Sequence, residues 1–269
     1  MTPEEYIKAG QVDEALTGLQ DAVRKAPADP KLRRFLFQLH CIMGRWEKAL
    51  TQLQVLADMD IESKLLAEIF RPVLGCETLR LDVFAGNRTP LIFGEPEEWI
   101  GWMVQANQMA AKGQFAQAQE LQERALEAAP AVAGQANGQD FEWIADEDSR
   151  LGPILEAYID SKYYWIPMSR ITKAAIEKPA DLRDLVWVSA QFVWTNGGEA
   201  SGFIPVRYPG SEASTDGGIR LARKTEWDEK SEGMYFGLGQ RTFATNGDEV
   251  ALLQLRTLDF PAVPAPPAV

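Results

Sequence analysis

Apolar residues in the first part of the chain follow helical spacing, and the pattern recurs after 34 residues. Residues 10–16 read GQVDEAL, residues 44–50 read GRWEKAL, and residues 113–118 read GQFAQA near the same register. In each copy a glycine permits a tight turn, and an alanine five positions later lets two helices approach closely. Further apolar residues continue the stripe at i, i+3 and i+4 spacing. The pattern therefore predicts pairs of antiparallel helices.

This arrangement resembles the tetratricopeptide repeat, which has the same period. The repeat decays between the second and third copies, where residues 61–84 predict a helix that Pro72 should kink. Thr78 stands where the other copies have the turn glycine, and Arg80 stands where they have Val or an aromatic residue. Residues 85–97 predict a loop before the next helix. An irregular helical bundle with short loops is the alternative interpretation.

Stacked helix pairs of this kind form a continuous core, and the first helix of each pair lines a concave groove. We expect residues 1–135 to form such a domain, and such grooves commonly hold a helix or peptide from another protein. The candidate partner-binding residues are Arg34, Gln38 and Cys41 in the second unit and Trp99, Met103 and Asn107 in the third. The alternative is that these residues contact only neighbouring helices of the same chain.

The pattern changes in residues 136–260, where strands with glycine and proline turns replace the helical repeat. Residues 162–168 predict a strand, and residues 182–194 predict a turn that runs into a strand. The Asn196-Gly197-Gly198 turn then leads to a partner strand over residues 202–208. Residues 151–159 predict a helix, and residues 171–177 a short helical or irregular piece. We expect a small, curved antiparallel sheet here, an α+β fold overall, and a mobile Pro/Ala-rich tail at residues 261–269.

Composition narrows the functional classes. The 269 residues carry a net charge of −12, which disfavours binding to nucleic acid. The two cysteines and the single histidine, His40, are too few for a typical metal site, so we expect neither metal nor cofactor. No apolar run is long enough to span a bilayer, and the N-terminus lacks a signal sequence. We therefore expect a cytoplasmic protein without a membrane-inserted segment.

An acidic cluster offers the best candidate for chemistry. Asp146, Glu147 and Asp148 are consecutive, and paired carboxylates can serve as acid and base in a hydrolase or bind a ligand. We favour a structural role, in which the acids cap the predicted helix at 151–159 and are solvated, while Arg150 pairs with a nearby acid. A serine or cysteine nucleophile lacks a base, because His40 lies in a repeat helix.

Four segments, together with the repeats, carry a family resemblance. These are FEWIADEDSRLGPILE at residues 141–156, YWIP at 164–167, LRDLVW at 182–187 and RYPGS at 207–211. The chain resembles the ImpE/SciE/TagJ family of accessory proteins of bacterial type VI secretion systems. The resemblance implies a cytoplasmic, non-enzymatic adaptor that binds the small subunit of the contractile sheath through that subunit's N-terminal helix. It also implies a link between the sheath and the hexameric ATPase that disassembles it.

Two hypotheses follow. The first is a non-catalytic accessory protein of this secretion machine. The second is a carboxylate-dependent hydrolase or a small-ligand-binding module in residues 140–260, with a concave pocket near Asp146, Asp148 and Arg150.

Overall fold

Helical hairpins form the first half of the protein, as the repeat predicts. The structure, a computed structural model, describes residues 1–261. Its first seven helices are α1 (Pro3–Lys8), α2 (Val12–Lys25), α3 (Pro30–Ile42), α4 (Trp46–Ala57), α5 (Ile61–Phe84), α6 (Glu98–Ala111) and α7 (Phe115–Ala128). The pairs α1/α2, α3/α4 and α6/α7 turn at Gly10, Gly44 and Gly113, whose φ angles are 78°, 63° and 75°. Such positive φ angles explain why glycine recurs at this position.

Helix α5 departs from the repeat because it does not turn. It continues for 24 residues and contains Pro72. Thr78, which replaces the turn glycine, is helical, and its hydroxyl donates a hydrogen bond to the carbonyl of Leu74 (3.2 Å). A β-branched residue disfavours the left-handed conformation that the other turns use, so the chain stays helical to Phe84.

The second half is built on one large sheet. Within residues 1–261 the strands are β1 (Leu91–Ile92), β2 (Gly134–Ala136), β3 (Gln139–Phe141), β4 (Ile144–Asp146), β5 (Ile154–Ile159), β6 (Lys162–Pro167), β7 (Ile171–Ile176), β8 (Trp187–Trp194), β9 (Glu199–Pro205), β10 (Thr225–Ser231), β11 (Met234–Gly239), β12 (Thr242–Thr245), β13 (Glu249–Ala251) and β14 (Thr257–Asp259). A short helix, α8 (Gly217–Arg220), precedes β10. Nine strands join in the order β1-β6-β5-β9-β8-β7-β14-β2-β3. The pairing is antiparallel except between β1 and β6.

The remaining strands form two smaller sheets, β10-β11 and β13-β12-β4. The α+β class is confirmed, although the main sheet is larger than the small one the sequence predicts. The predicted tail at 261–269 lies outside the described residues apart from Pro261.

Two predicted elements are wrong and others are confirmed. Residues 154–159 are strand β5 rather than part of a helix, and residues 171–176 are strand β7. All six residues of β5 are buried, so this strand shows no alternation of polar and apolar residues and is easily mistaken for a buried helix. The strand at 162–167, the turn before β8 and the β8–β9 pair agree with the prediction.

The helices and the main sheet share a hydrophobic core. Residues of all seven helices belong to one buried cluster or pack against it, and the cluster also includes Tyr158, Tyr163 and Trp165 of the sheet. Trp187 of β8 lies 5.8 Å from Trp46 of α4 between ring centroids. A second cluster, with Phe243 and Leu252, buries other residues of the main sheet. The first cluster contains residues from both sides of residue 135, and the division into two domains at that point stays a prediction.

The turn at Gly44 gives the first testable prediction. A Cβ atom at Gly44 would lie 2.4 Å from Cγ of Glu212, whereas one at Gly10 would meet nothing within 4 Å. Both substitutions to alanine place a side chain at positive φ, which costs about 1–2 kcal/mol. We expect Gly44→Ala to lower the free energy of unfolding in urea by clearly more than Gly10→Ala, because it adds a steric clash. Equal losses would contradict the packing of the α3/α4 turn against Glu212.

Candidate functional site

The groove that the repeats predict is filled by the second half of the same chain. Helix α3 packs against the 3-10 turn Leu182–Leu185, which precedes β8. The guanidinium of Arg207 donates hydrogen bonds to the carbonyls of Ile42 (2.7 Å) and Cys41 (3.2 Å) at the end of α3. It also donates to the carbonyl of Arg220 (2.6 Å). The second half thus occupies the position in which a tetratricopeptide groove would hold a ligand.

Most of the predicted partner-binding residues are therefore buried. The buried ones are Gln38 and Cys41 on α3 and Trp99, Met103 and Asn107 on α6. The side-chain amide of Asn107 donates to the carbonyl of Val83 on α5 (2.7 Å), which fits the alternative that these residues contact neighbouring helices. Arg34 is half-buried and pairs with Glu62 of α5 (2.8 Å). Of the six residues, Arg34 alone is accessible to a partner in this conformation, and its role in binding stays a prediction.

A network of buried charges lies where α5 meets the main sheet. Glu156 of β5 has no exposed surface and accepts hydrogen bonds from Arg80 of α5, at 2.7 Å from Nε and 3.1 Å from Nη2. Arg241, which is also fully buried, pairs with Glu156 through Nη2 and with Asp146 through Nη1 (2.8 Å). The hydroxyl of Tyr163 donates to Glu156 as well. Two arginines and two carboxylates are thus held together without water access.

Aromatic side chains extend the network on the side of the helices. Glu77, one turn before Arg80 on α5, accepts hydrogen bonds from the hydroxyl of Tyr158 (2.6 Å) and from the indole of Trp187 (2.8 Å). These bonds satisfy a carboxylate that is only 3% exposed, and a buried carboxylate without partners would be strongly destabilising. Helix α5 is therefore fixed to β5 and β8 by polar contacts in addition to apolar packing.

The acidic cluster belongs to this buried network. Asp146 and Asp148 are 4% and 0% exposed, so the predicted capping and solvated role is wrong. Asp146 accepts from the hydroxyl of Tyr208 (2.9 Å), and Asp148 pairs with Arg150 at 2.7 Å from Nε, as expected for Arg150. The reason for the error is the strand β5 that follows: no helix is present there to be capped.

The surroundings shift the pKa values of two carboxyl groups in opposite directions. Burial raises the pKa of Glu156, but Arg80 and Arg241 outweigh burial and lower it to about 2. Burial raises the pKa of Asp146 to about 7, although Arg241 opposes the rise. Five surface cavities in residues 1–261 include neither group in their walls. The geometry commits these carboxylates to ion pairs that join parts of the fold.

Sequence reasoning missed the central residues Glu77, Arg80, Glu156 and Arg241. One signal was present at Arg80. It occupies the repeat position that Val12 holds in the first copy, and Val12 is buried, with 1% exposed. A charged residue at a core position needs a buried counter-charge. The identity of that partner was not visible, since Glu156 lies 76 residues away.

The first half of α5 carries an exposed apolar surface. Ile61, Leu65 and Ile69 lie one above another at four-residue intervals and are 80%, 56% and 50% exposed. We call these three residues the α5 stripe. A cavity of about 240 Å³ adjoins Ile69, and we call it the adjoining pocket. Its walls are formed by Ile69, Phe70, Val188, Ser189 and Phe203 together with the charged or loop residues Glu177, Lys178, Ala180, Asp181, Arg183 and Asp184.

Comparisons with known proteins give consistent matches. A family model described as ImpE protein matches residues 138–259. The type VI secretion system accessory component TagJ of Pseudomonas aeruginosa is 43% identical over 260 residues, which cover 97% of this chain and 91% of that protein. An X-ray crystal structure of a protein from Vibrio parahaemolyticus matches with a TM-score of 0.88 and 26% identity, and the match covers 96% of this chain and 97% of that one.

Residues 1–261 contain neither a metal-binding cluster nor a membrane-spanning helix. In that part of the chain, no three or more His, Cys, Asp or Glu side chains are grouped so as to hold a metal ion. No helix there combines the length and apolar character needed to cross a membrane.

The charge network gives a prediction for stability. Glu156→Gln keeps the size of the side chain but leaves Arg80 and Arg241 with one counter-charge fewer in the interior. We expect the free energy of unfolding to fall by about 3–5 kcal/mol, as is usual when one partner of a buried ion pair is removed. Urea unfolding followed by circular dichroism measures the change. Glu62→Gln, which breaks the exposed pair with Arg34, is the matched control and should have little effect.

The lowered pKa of Glu156 also predicts how stability depends on pH. The ordinary pKa of this carboxyl is 4.5 and that in the folded protein is about 2, so the unfolded chain takes up the proton first. The stabilisation from Glu156 is therefore complete above pH 4.5 and is lost as the pH falls towards 2. We expect urea midpoints to fall more steeply over this range in the wild type than in Glu156→Gln. Parallel curves for the two proteins would show that Glu156 does not titrate in this way.

Proposed function

The chain belongs to the ImpE/TagJ family, and from this premise we propose that it is a non-catalytic accessory component of a bacterial type VI secretion system. The observation that carries the proposal is the 43% identity to TagJ, which extends over 97% of this chain. The similarity therefore includes the helices as well as the sheet. An accessory component acts by binding other parts of a machine, and the proposal assigns that role to this chain.

The geometry of the charged residues argues against the hydrolytic alternative. A carboxylate acting as general acid or base must reach its substrate within hydrogen-bond distance. Asp146, Asp148 and Glu156 are instead 4%, 0% and 0% exposed, and each is paired with arginine. An arrangement of this kind stabilises the junction between α5 and the sheet.

We propose that the partner is the small subunit of the contractile sheath, bound through its N-terminal helix. Support comes from the exposed aliphatic residues on α5, because an amphipathic helix docks by laying its apolar side on such a surface. The protein would then link the sheath to the hexameric ATPase that disassembles it, a role suggested by the family resemblance. The proposed location is the cytoplasm, and the two buried cysteines, Cys41 and Cys76, are free thiols, which suits a reducing compartment.

Co-purification tests this function. We expect the full-length small sheath subunit to co-elute with this protein in size-exclusion chromatography, and a subunit without its N-terminal helix to elute separately. Circular dichroism of the truncated subunit checks that it is folded. Failure of the full-length subunit to bind would contradict the choice of partner, whereas binding of the truncated subunit would contradict the choice of its terminal helix.

A further inference from the structure

The α5 stripe is an aligned set of exposed aliphatic side chains on one helix. Ile61 has 80% of its side chain exposed, and Leu65 and Ile69 have about half exposed. Their spacing places them along one line of the helix over about 12 Å, or two helical turns. Covering exposed aliphatic side chains lowers the free energy of the protein in water. Single exposed aliphatic residues are common on protein surfaces, but an aligned set of them marks a contact surface.

The adjoining pocket continues this surface. Ile69 forms part of its wall, so the stripe leads directly into the cavity of about 240 Å³. Phe70, Val188 and Phe203 give the pocket an apolar lining. Arg183 lies 4.9 Å above the Phe70 ring and pairs with Asp181 (2.6 Å), which holds one wall in place. A cavity of this volume accommodates one large side chain.

Acidic groups outnumber basic ones beside the stripe. Within residues 58–71 the exposed charged side chains are Asp58, Asp60, Glu62 and Glu68 against Lys64 and Arg71. In the wall of the adjoining pocket, Glu177 and Asp181 are exposed against one exposed lysine, Lys178. The surface therefore favours a ligand with basic residues next to its apolar side.

We propose that the α5 stripe and the adjoining pocket form one docking surface for an amphipathic helix of a partner protein. This helix has aliphatic residues at intervals of three or four positions, one of which enters the pocket, and basic residues flank them. The inference rests on the proposed function and deepens it, since it names the surface that receives the partner helix.

The dimensions favour a single helix over a second copy of this chain. A stable interface between two copies needs about 800 Å² from each partner, and three aliphatic side chains with one pocket fall well short of that. In a two-fold dimer, the same patch would also face itself. Acidic residues such as Glu62 and Glu68 would then approach one another, whereas a basic helix would be attracted.

Aspartate substitutions on the stripe test the inference. Leu65→Asp and Ile69→Asp put a charge into the docking surface, and because both positions are exposed, we expect the thermal unfolding of the variants to match the wild type. The matched control is Leu126→Asp on α7. Leu126 is a leucine of similar exposure, 43%, that lies away from the stripe. The probes are the full-length small sheath subunit and a peptide of its N-terminal helix, measured by isothermal titration calorimetry.

We expect Leu65→Asp and Ile69→Asp to weaken binding of both probes at least about tenfold, and Leu126→Asp to leave it unchanged. Raising the salt from about 50 to about 500 mM should weaken wild-type binding, because the acidic flank attracts basic residues. Wild-type-like binding by the two stripe variants would overturn the surface while leaving the proposed function standing. Absence of binding by the wild type would overturn the proposed function itself. Dimerisation of the wild type that Leu65→Asp abolishes would identify a second copy as the occupant and overturn the inference.

Discussion

The contact between Glu156 and two buried arginines is the interaction on which the rest of the structure depends. Arg80 comes from α5, Glu156 from β5, and Arg241 from the position just before β12. Each charge loses its hydration on burial, and no single pair would compensate for that loss as well as the set does. The contact therefore needs the helices and the sheet to be in place together, and it joins the two halves of the chain.

Local features were predictable where the residue type itself determines the backbone. The glycines at 10, 44 and 113 made the three turns between paired helices predictable, because the left-handed backbone there favours glycine over other residues. Strand β8 was predictable because residues 182–194 are rich in β-branched and aromatic residues and a turn precedes the strand. Strand β5 was not, because it is buried on both faces and its apolar run has no period of two.

The candidate site was less predictable, because it depends on which surfaces meet. The repeat predicts that α3 lines a groove, but no local pattern reveals that the turn at residues 182–185 packs against α3 or that Arg207 binds the carbonyls at its end. The same limit applies to the α5 stripe. Ile61, Leu65 and Ile69 have the helical spacing of core residues, and only the structure shows that nothing in residues 1–261 covers them.

Helix α5 also joins the exposed α5 stripe to the buried ion pairs. Leu65 lies in its exposed half and Arg80 in its anchored half, about 22 Å apart along the axis at the usual rise per residue. A force applied to the exposed half would thus be transmitted along one continuous helix to the buried ion pairs. Pro72 lacks the amide proton that would complete the ladder of main-chain hydrogen bonds between them. Helix α5 is therefore most easily bent at Pro72, between its exposed half and the half anchored by the ion pairs.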